Sequence, residues 1–231
     1  MKPRVFAPIL AAVMIWAHPA WSSATALDAI SNRDAVAGLK EALVKGSRAA
    51  VASLGRRDGF FGNPQVKIPL PESLRRAEGL MRAVGMGKYA DELVLTMNRA
   101  AESAVPQATK LLLDAVKKMT VPDAKAILTG GDDAATQYFR RTTSAQLHDR
   151  FLPIVRKATA RVQLAEKYNE YAGKAARFGL LSKQDADLDE YVTDKALDGL
   201  FLTMAEQEKK LRQNPLGAGS SIIRKVFGAL R

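Results

Sequence analysis

Leu188-Asp189-Glu190-Tyr191-Val192-Thr193-Asp194-Lys195-Ala196-Leu197-Asp198-Gly199-Leu200-Phe201-Leu202-Thr203-Met204 carries the periodicity that decides the fold class. Leu197, Leu200, Phe201 and Met204 recur at three- and four-residue steps, so they share one face of an α-helix. Asp187 is placed to cap that helix and Asn214-Pro215 to stop it, which predicts a helix over 188–213. Gly199 in its interior costs about 1 kcal/mol relative to alanine, so close approach of another helix or of a ligand is expected there. Lys195 and Asp198 stand three apart and can pair.

Working outward, the same spacing recurs with short breakers between, and no strand-like alternation runs beyond a few residues. A first helix is expected from about Arg33 to Leu54, capped by Ser31 or Asn32 and ended by Gly55. Its stripe is Val36, Leu39, Leu43, Ala50 and Leu54. A second is expected from Pro71 to Val84, ending at Gly85. A third runs from near Tyr89 to Met119, kinked or split at Pro106. Thr120 and Asp123 form a capping-box start for a short helix to Leu128. Asp132-Asp133 should cap a long helix to about Val162 with Pro153 inside it. A segment over 163–178 and a final amphipathic turn or two over 220–227 complete the series. The least helical part lies between the first two helices, at 56–71. There Val66 to Leu70 should be extended, and Phe60 and Phe61 are expected to plug the core beneath the loop. The expected architecture is all-α, a single compact domain over 27–231 with about seven to nine helices, two bent at prolines.

Composition narrows the function classes. The chain has 231 residues, 35 Lys+Arg against 24 Asp+Glu, no cysteine and two histidines. Disulfides, thiolate metal sites and cysteine nucleophiles are therefore excluded. Residues 1–26 read as a secretory leader: Lys2 and Arg4, an apolar run from Val5 to Ala17, then small residues offering cleavage near Ala24 or Ala26. That run is short of the roughly 20 residues a membrane span needs. Removing the leader takes two basic residues and no acid, leaving 33 basic and 24 acidic residues and a formal charge of +9. The expected location is the periplasm.

Four groups of polar residues stand out. Val94, Asn98, Glu102 and Val105 share one helical row, with Arg99 three residues from Glu102. This is either an internal strut or a polar site between helices. Asp133 opens a helix whose glycines could free amides for an anion, although two aspartates already satisfy the positive helix end. Tyr138 to Arg161 has a buried stripe of Leu147, Phe151, Ile154 and Ala158, flanked by Arg150, Lys157 and Arg161 as a basic edge for lipid phosphate or an acidic partner. His148, alone in the mature chain, lacks the second histidine of a metal motif and suits a surface or packing role. The acidic stretch at 184–208 opposes the basic edge in sign, so the two could dock on each other.

Four blocks together resemble a known family. They are Asp58-Gly59-Phe60 with Asn63-Pro64 and Val66-Lys67-Ile68-Pro69-Leu70-Pro71; Met97-Asn98-Arg99-Ala100-Ala101-Glu102; Gly131 to Thr136 with Tyr138-Phe139-Arg140; and Tyr191-Val192-Thr193 with Lys195 to Phe201. In this order they resemble the bacterial family catalogued as domain of unknown function 4197. The resemblance implies an exported, mostly helical protein of a Gram-negative bacterium and assigns no activity. One departure is Ala205-Glu206-Gln207-Glu208, where glutamine stands in place of a second adjacent acid.

The expected function is a binding or interaction module rather than an enzyme. Asn98, Arg99, Glu102, Asp133, Arg140, Lys195 and Asp198 would line a groove for a small anionic ligand or a peptide. The alternative is a membrane-surface module that meets anionic lipid through Arg150, Lys157, Arg161, Arg224 and Lys225, helped by Ile222, Ile223, Val226 and Phe227. A third reading is a hydrolase using Asp133 and Glu102 as paired carboxylates. No cofactor, no metal, no nucleic acid and no transmembrane segment in the mature chain are expected.

Overall fold

Capping chemistry sets where the helices begin. Ser31 accepts a hydrogen bond from the Asp34 amide and opens α1 (Asn32–Gly55). Leu39, Leu43, Ala50 and Leu54 of the expected stripe are buried, and Val36 is half-buried. The loop at 56–71 follows, then α2 (Glu72–Ala83) and α3 (Gly87–Ala104). Gly85 takes φ +76° behind α2, a left-handed conformation that favours glycine. Thr120 and Asp123 form a complete capping box at the start of α5 (Val121–Thr129). A computed structural model describes residues 31–85, 87–162, 164–169, 187–215 and 220–228. The leader at 1–26 lies outside the described residues. So does 163–178, apart from a helical run at 164–169.

The two interior prolines behave differently. At Pro106 the expected long helix is split: α3 ends at Ala104, a 3-10 turn covers Val105–Gln107, and α4 (Ala108–Lys118) resumes. At Pro153 there is no break, and α6 (Ala134–Thr159) runs through it. The carbonyl that Pro153 leaves unbonded belongs to exposed Asp149, where water can satisfy it. The helix at Pro106 is thus split, one of the two outcomes expected there, and the helix at Pro153 is continuous. α7 (Leu188–Gln213) begins on Asp187, whose carboxylate accepts from the Asp189 and Glu190 amides. α8 (Ser221–Gly228) ends the described chain. No strand occurs among the described residues. No described helix is long and apolar enough to cross a membrane.

α6 is the central packing element and lies against both α3 and α7. α1 packs on α4, α7 and α8. One core joins all of them around the fully buried rings of Phe60, Phe139, Phe151 and Phe201. α8 docks on α1 where Gly38 removes a side chain: a Cβ there would lie 2.7 Å from Cγ2 of Val226 and 3.0 Å from the Ile222 carbonyl. Lys225 Nζ reaches Asp34 Oδ2 at 3.0 Å and holds that carboxyl below the usual aspartate range.

Candidate functional site

The loop at 56–71 is held by two side chains of α3. Glu102 Oε1 accepts from the amides of Phe60 and Phe61, both at 3.1 Å. Asn98 Oδ1 accepts from the Ile68 amide at 2.8 Å, while its Nδ2 donates to the carbonyls of Ile68 and Val94. Asn98 is fully buried, and its two bonds to Ile68 satisfy a loop amide and carbonyl that the core would otherwise strand. Arg99 spans from Glu102 Oε2 at 2.6 Å to Asp58 Oδ1 at 2.7 Å. Asp58 has φ +64°, a conformation aspartate tolerates better than most residues. Of the expected plug, Phe60 is fully buried. Phe61 is half-buried, with Lys67 Nζ 4.2 Å and Arg99 Cζ 5.7 Å from its ring centre.

The same loop accounts for Gly199. A Cβ there would sit 2.7 Å from Cε1 of Phe60 and 3.2 Å from Cβ of Val66. The close neighbour is thus a loop phenylalanine, and neither a helix nor a ligand. Tyr191 adds a bond from its hydroxyl to the Pro69 carbonyl at 3.0 Å.

The seven residues read as one polar groove form three separately bonded groups. Asn98, Arg99 and Glu102 form the loop clamp. Arg140, Lys195 and Asp198 are exposed together on the α6–α7 surface, with Asp198 3.5 Å from Arg140 and 3.8 Å from Lys195. Arg140 also covers the Phe201 ring at 4.7 Å. Asp133 occupies the N-cap position of α6, makes no capping bond, and accepts from Gln137 Nε2.

Instead, α6 is capped from 73 residues away. Glu208 of α7 accepts from the Ala135 amide at 2.9 Å on Oε1, and from the Thr136 amide and hydroxyl at 3.0 Å on Oε2. Arg212, one turn later, pairs with Glu208 at 2.9 Å and donates to the Ile127 carbonyl at 2.7 Å, near the end of α5. Both side chains are nearly buried, at 7% and 11% exposure. Sequence reasoning missed Glu208, although the signal was present. Leu197, Phe201, Met204 and Glu208 lie on one helical row, so an acid on the core stripe needed a partner. The departure noted at Gln207 is immaterial to this arrangement, because Glu208 acts with Arg212 and the α6 amides.

Beside this pair lies a cleft between α1, α6, α7 and α8. Its walls are mainly apolar, with Leu39, Leu43, Phe139, Met204, Leu211 and Phe227, and it encloses about 40 Å³. Ser47 lines it, and the Ser47 Oγ is buried without a hydrogen-bond partner among the described residues. Gly46 lines it too, and nothing lies within 4 Å of where its Cβ would stand. The Glu208 carboxylate at its edge already receives five donors, so it has no free lone pair for a ligand.

The basic edge of α6 remains in solvent. Arg150, Lys157, Arg161 and Arg224 are exposed and make no ion pair with a described residue, whereas Lys225 is paired with Asp34. Of the apolar residues expected to help α8 meet a membrane, Ile223, Val226 and Phe227 are buried and Ile222 is half-buried, with α8 docked on α1. Docking of the basic and acidic segments occurs in part. His148 Nε2 lies 2.8 Å from Glu190 and 3.8 Å from Asp194, and Arg156 lies 3.5 Å from Glu190. Burial raises the carboxyls of Asp189 and Asp194 above their ordinary range, and nearby acids add to it. No group of three or more histidine and acidic side chains among the described residues is placed to hold a metal.

Asp189 gives a pH test. Its folded pKa is raised, so the folded state binds the proton more tightly and stability falls as pH rises from the unfolded to the folded value. The α7 dipole favours a negative charge at this end, but Asp187 and Glu190 already supply two. Asp189→Asn keeps an acceptor for the Thr159 hydroxyl and removes the half-buried charge. It should raise the thermal midpoint at pH 7, with the gain vanishing below about pH 3. A gain that persists at low pH would show that the charge is not the cause.

No curated protein and no solved structure matches the chain. A family model does, and it spans α1 through α8 with the loop, the clamp and the cleft included. By that match over residues 29–228, the chain belongs to the family described as Protein of unknown function (DUF4197).

Proposed function

We propose that this protein is an exported, non-catalytic binding module of the bacterial envelope, and that its ligand enters the cleft between α1, α6, α7 and α8. The observation that carries this reading is the cleft itself, an apolar pocket holding a buried hydroxyl with no partner. Such concave, mostly apolar sites with a few polar groups are where small molecules usually bind. The leader-like residues 1–26 support export. The polar groups first read as a ligand groove are engaged elsewhere: Asn98 and Glu102 hold the loop, and Glu102 has no free oxygen for acid–base work beside Asp133.

A second reading keeps one observation in its favour. Arg150, Lys157 and Arg161 form an unpaired basic edge suited to an anionic surface, and salt-sensitive binding to anionic vesicles is its signature.

Native mass spectrometry of the protein purified from the periplasm of its own host tests the main reading. The expected spectrum shows a retained small-molecule mass in the natural protein and none in Gly46→Leu, whose new side chain occupies the open space at the cleft. A bare polypeptide mass in both proteins would count against a tightly held ligand.

A further inference from the structure

Two features of the cleft lack an internal explanation. The first is Ser47. Other hydroxyls on these helices bond back to a carbonyl one turn earlier: Ser53 to Ala50, Ser103 to Arg99, Thr143 to Phe139, Ser144 to Arg140. Ser47 makes no such bond, is 3% exposed and lines the cleft. Thr193 is the other described residue with a stranded hydroxyl, and it does not line the cleft. The second is Gly46. Glycine inside a helix is unfavourable. Gly38 and Gly199 earn their places by letting Val226 and Phe60 approach, whereas nothing stands within 4 Å of where a Cβ of Gly46 would lie.

We propose that the cleft takes a linear, uncharged alkyl chain bearing a single hydroxyl or carbonyl oxygen, with that oxygen on Ser47 and the methylenes against Leu39, Leu43, Phe139, Met204 and Leu211. The proposal rests on the cleft being the binding site and names the class of its ligand.

The charge argument selects a neutral molecule. Glu208 and Arg212 neutralise each other at the edge of the cleft. A carboxylate ligand would lie beside Glu208 in apolar surroundings, and an ammonium beside Arg212; neither is favourable. The volume argument selects a chain. A cavity that accepts benzene is about 150 Å³, and this one is about 40 Å³. It therefore admits a narrow alkyl segment, with the remainder leaving through the open side, but not a ring. The oxygen is required because an apolar guest alone would leave Ser47 Oγ stranded.

The test is a titration of the intact protein with 1-octanol, octanoate and benzene, followed by amide chemical shifts of α1 and α6. 1-Octanol should saturate a site centred on Ser47 and bind at least tenfold more tightly than octanoate or benzene. Ser47→Ala should weaken 1-octanol about fivefold to tenfold and raise the thermal midpoint of the unliganded protein, because it deletes a hydroxyl without a partner. Gly46→Leu, whose Cβ would meet no atom within 4 Å and which improves helix propensity, should fold normally and abolish binding. If octanoate or benzene binds more tightly than 1-octanol, yet loses binding in Gly46→Leu, the ligand class is wrong and the cleft stands. If no probe binds, or binding survives in Gly46→Leu, the cleft itself is refuted as the site. If Ser47→Ala leaves 1-octanol affinity unchanged, the role of the hydroxyl is overturned.

Discussion

Glu208→Ala is expected to lower the free energy of unfolding by about 3–5 kcal/mol, the range for breaking a buried ion pair from one side. Three losses combine. The amides of Ala135 and Thr136 lose their acceptor, a cap worth about 1 kcal/mol on its own. The Thr136 hydroxyl loses a partner in the core. Arg212, 11% exposed, keeps its charge with the Ile127 carbonyl and the face of Phe227, 5.9 Å away, to meet it. Replacing both partners, Glu208→Ala with Arg212→Met, should recover about half of the loss, since the stranded cation is gone while the α6 cap is still missing. The only tryptophans are Trp16 and Trp21, both within the expected leader, so urea unfolding is best followed by far-UV circular dichroism. A loss below about 1 kcal/mol would mean that α6 does not depend on this carboxylate.

The contact between Phe60 and Gly199 should show strong coupling. Gly199→Ala in an open helix would stabilise by about 1 kcal/mol. Here the new Cβ would stand 2.7 Å from Phe60 Cε1 and 3.2 Å from Val66 Cβ, so overpacking should reverse the sign to a loss of about 1–3 kcal/mol. Phe60→Ala should cost about 3–5 kcal/mol, because the ring is fully buried. The double variant decides the mechanism. With the ring absent, Gly199→Ala should cost nothing or stabilise, so the two losses should fall well short of additivity in chemical denaturation. Additive losses would mean that the glycine is needed for some reason other than the phenylalanine.

Helix boundaries were legible where capping chemistry is local. Asp187 and Asn214 bracket α7, and Thr120 with Asp123 opens α5, because the residues that satisfy each other lie within one turn. The polar row of Asn98 and Glu102 was legible as buried polarity but not as a clamp. Its partners are backbone groups 30 to 42 residues away, and no side-chain pattern marks a backbone amide. The seven residues expected to line one groove divide into three bonded groups for a related reason. Helical spacing says which residues share a face of one helix, and says nothing of which faces meet. Glu208 is not legible as a cap because the aspartates at the start of α6 offer a local one in sequence. The structure supplies that cap from another helix. Ser47 is not marked by any sequence pattern: a serine on the buried face of a helix usually bonds to its own backbone, and in the fold this one does not.

The docking of α8 on α1 has a consequence for how the chain reaches this state. Lys225 and Asp34 are 191 residues apart in sequence, so the contact order of this interface is close to the largest the described chain allows. Isolated helices form within about a microsecond. The Gly38 face of α1 is therefore ready before a chain that emerges N-terminus first delivers the helix that covers it. Completion of the cleft, whose walls include Phe227, is set by the arrival of the last helix and not by the folding speed of the first.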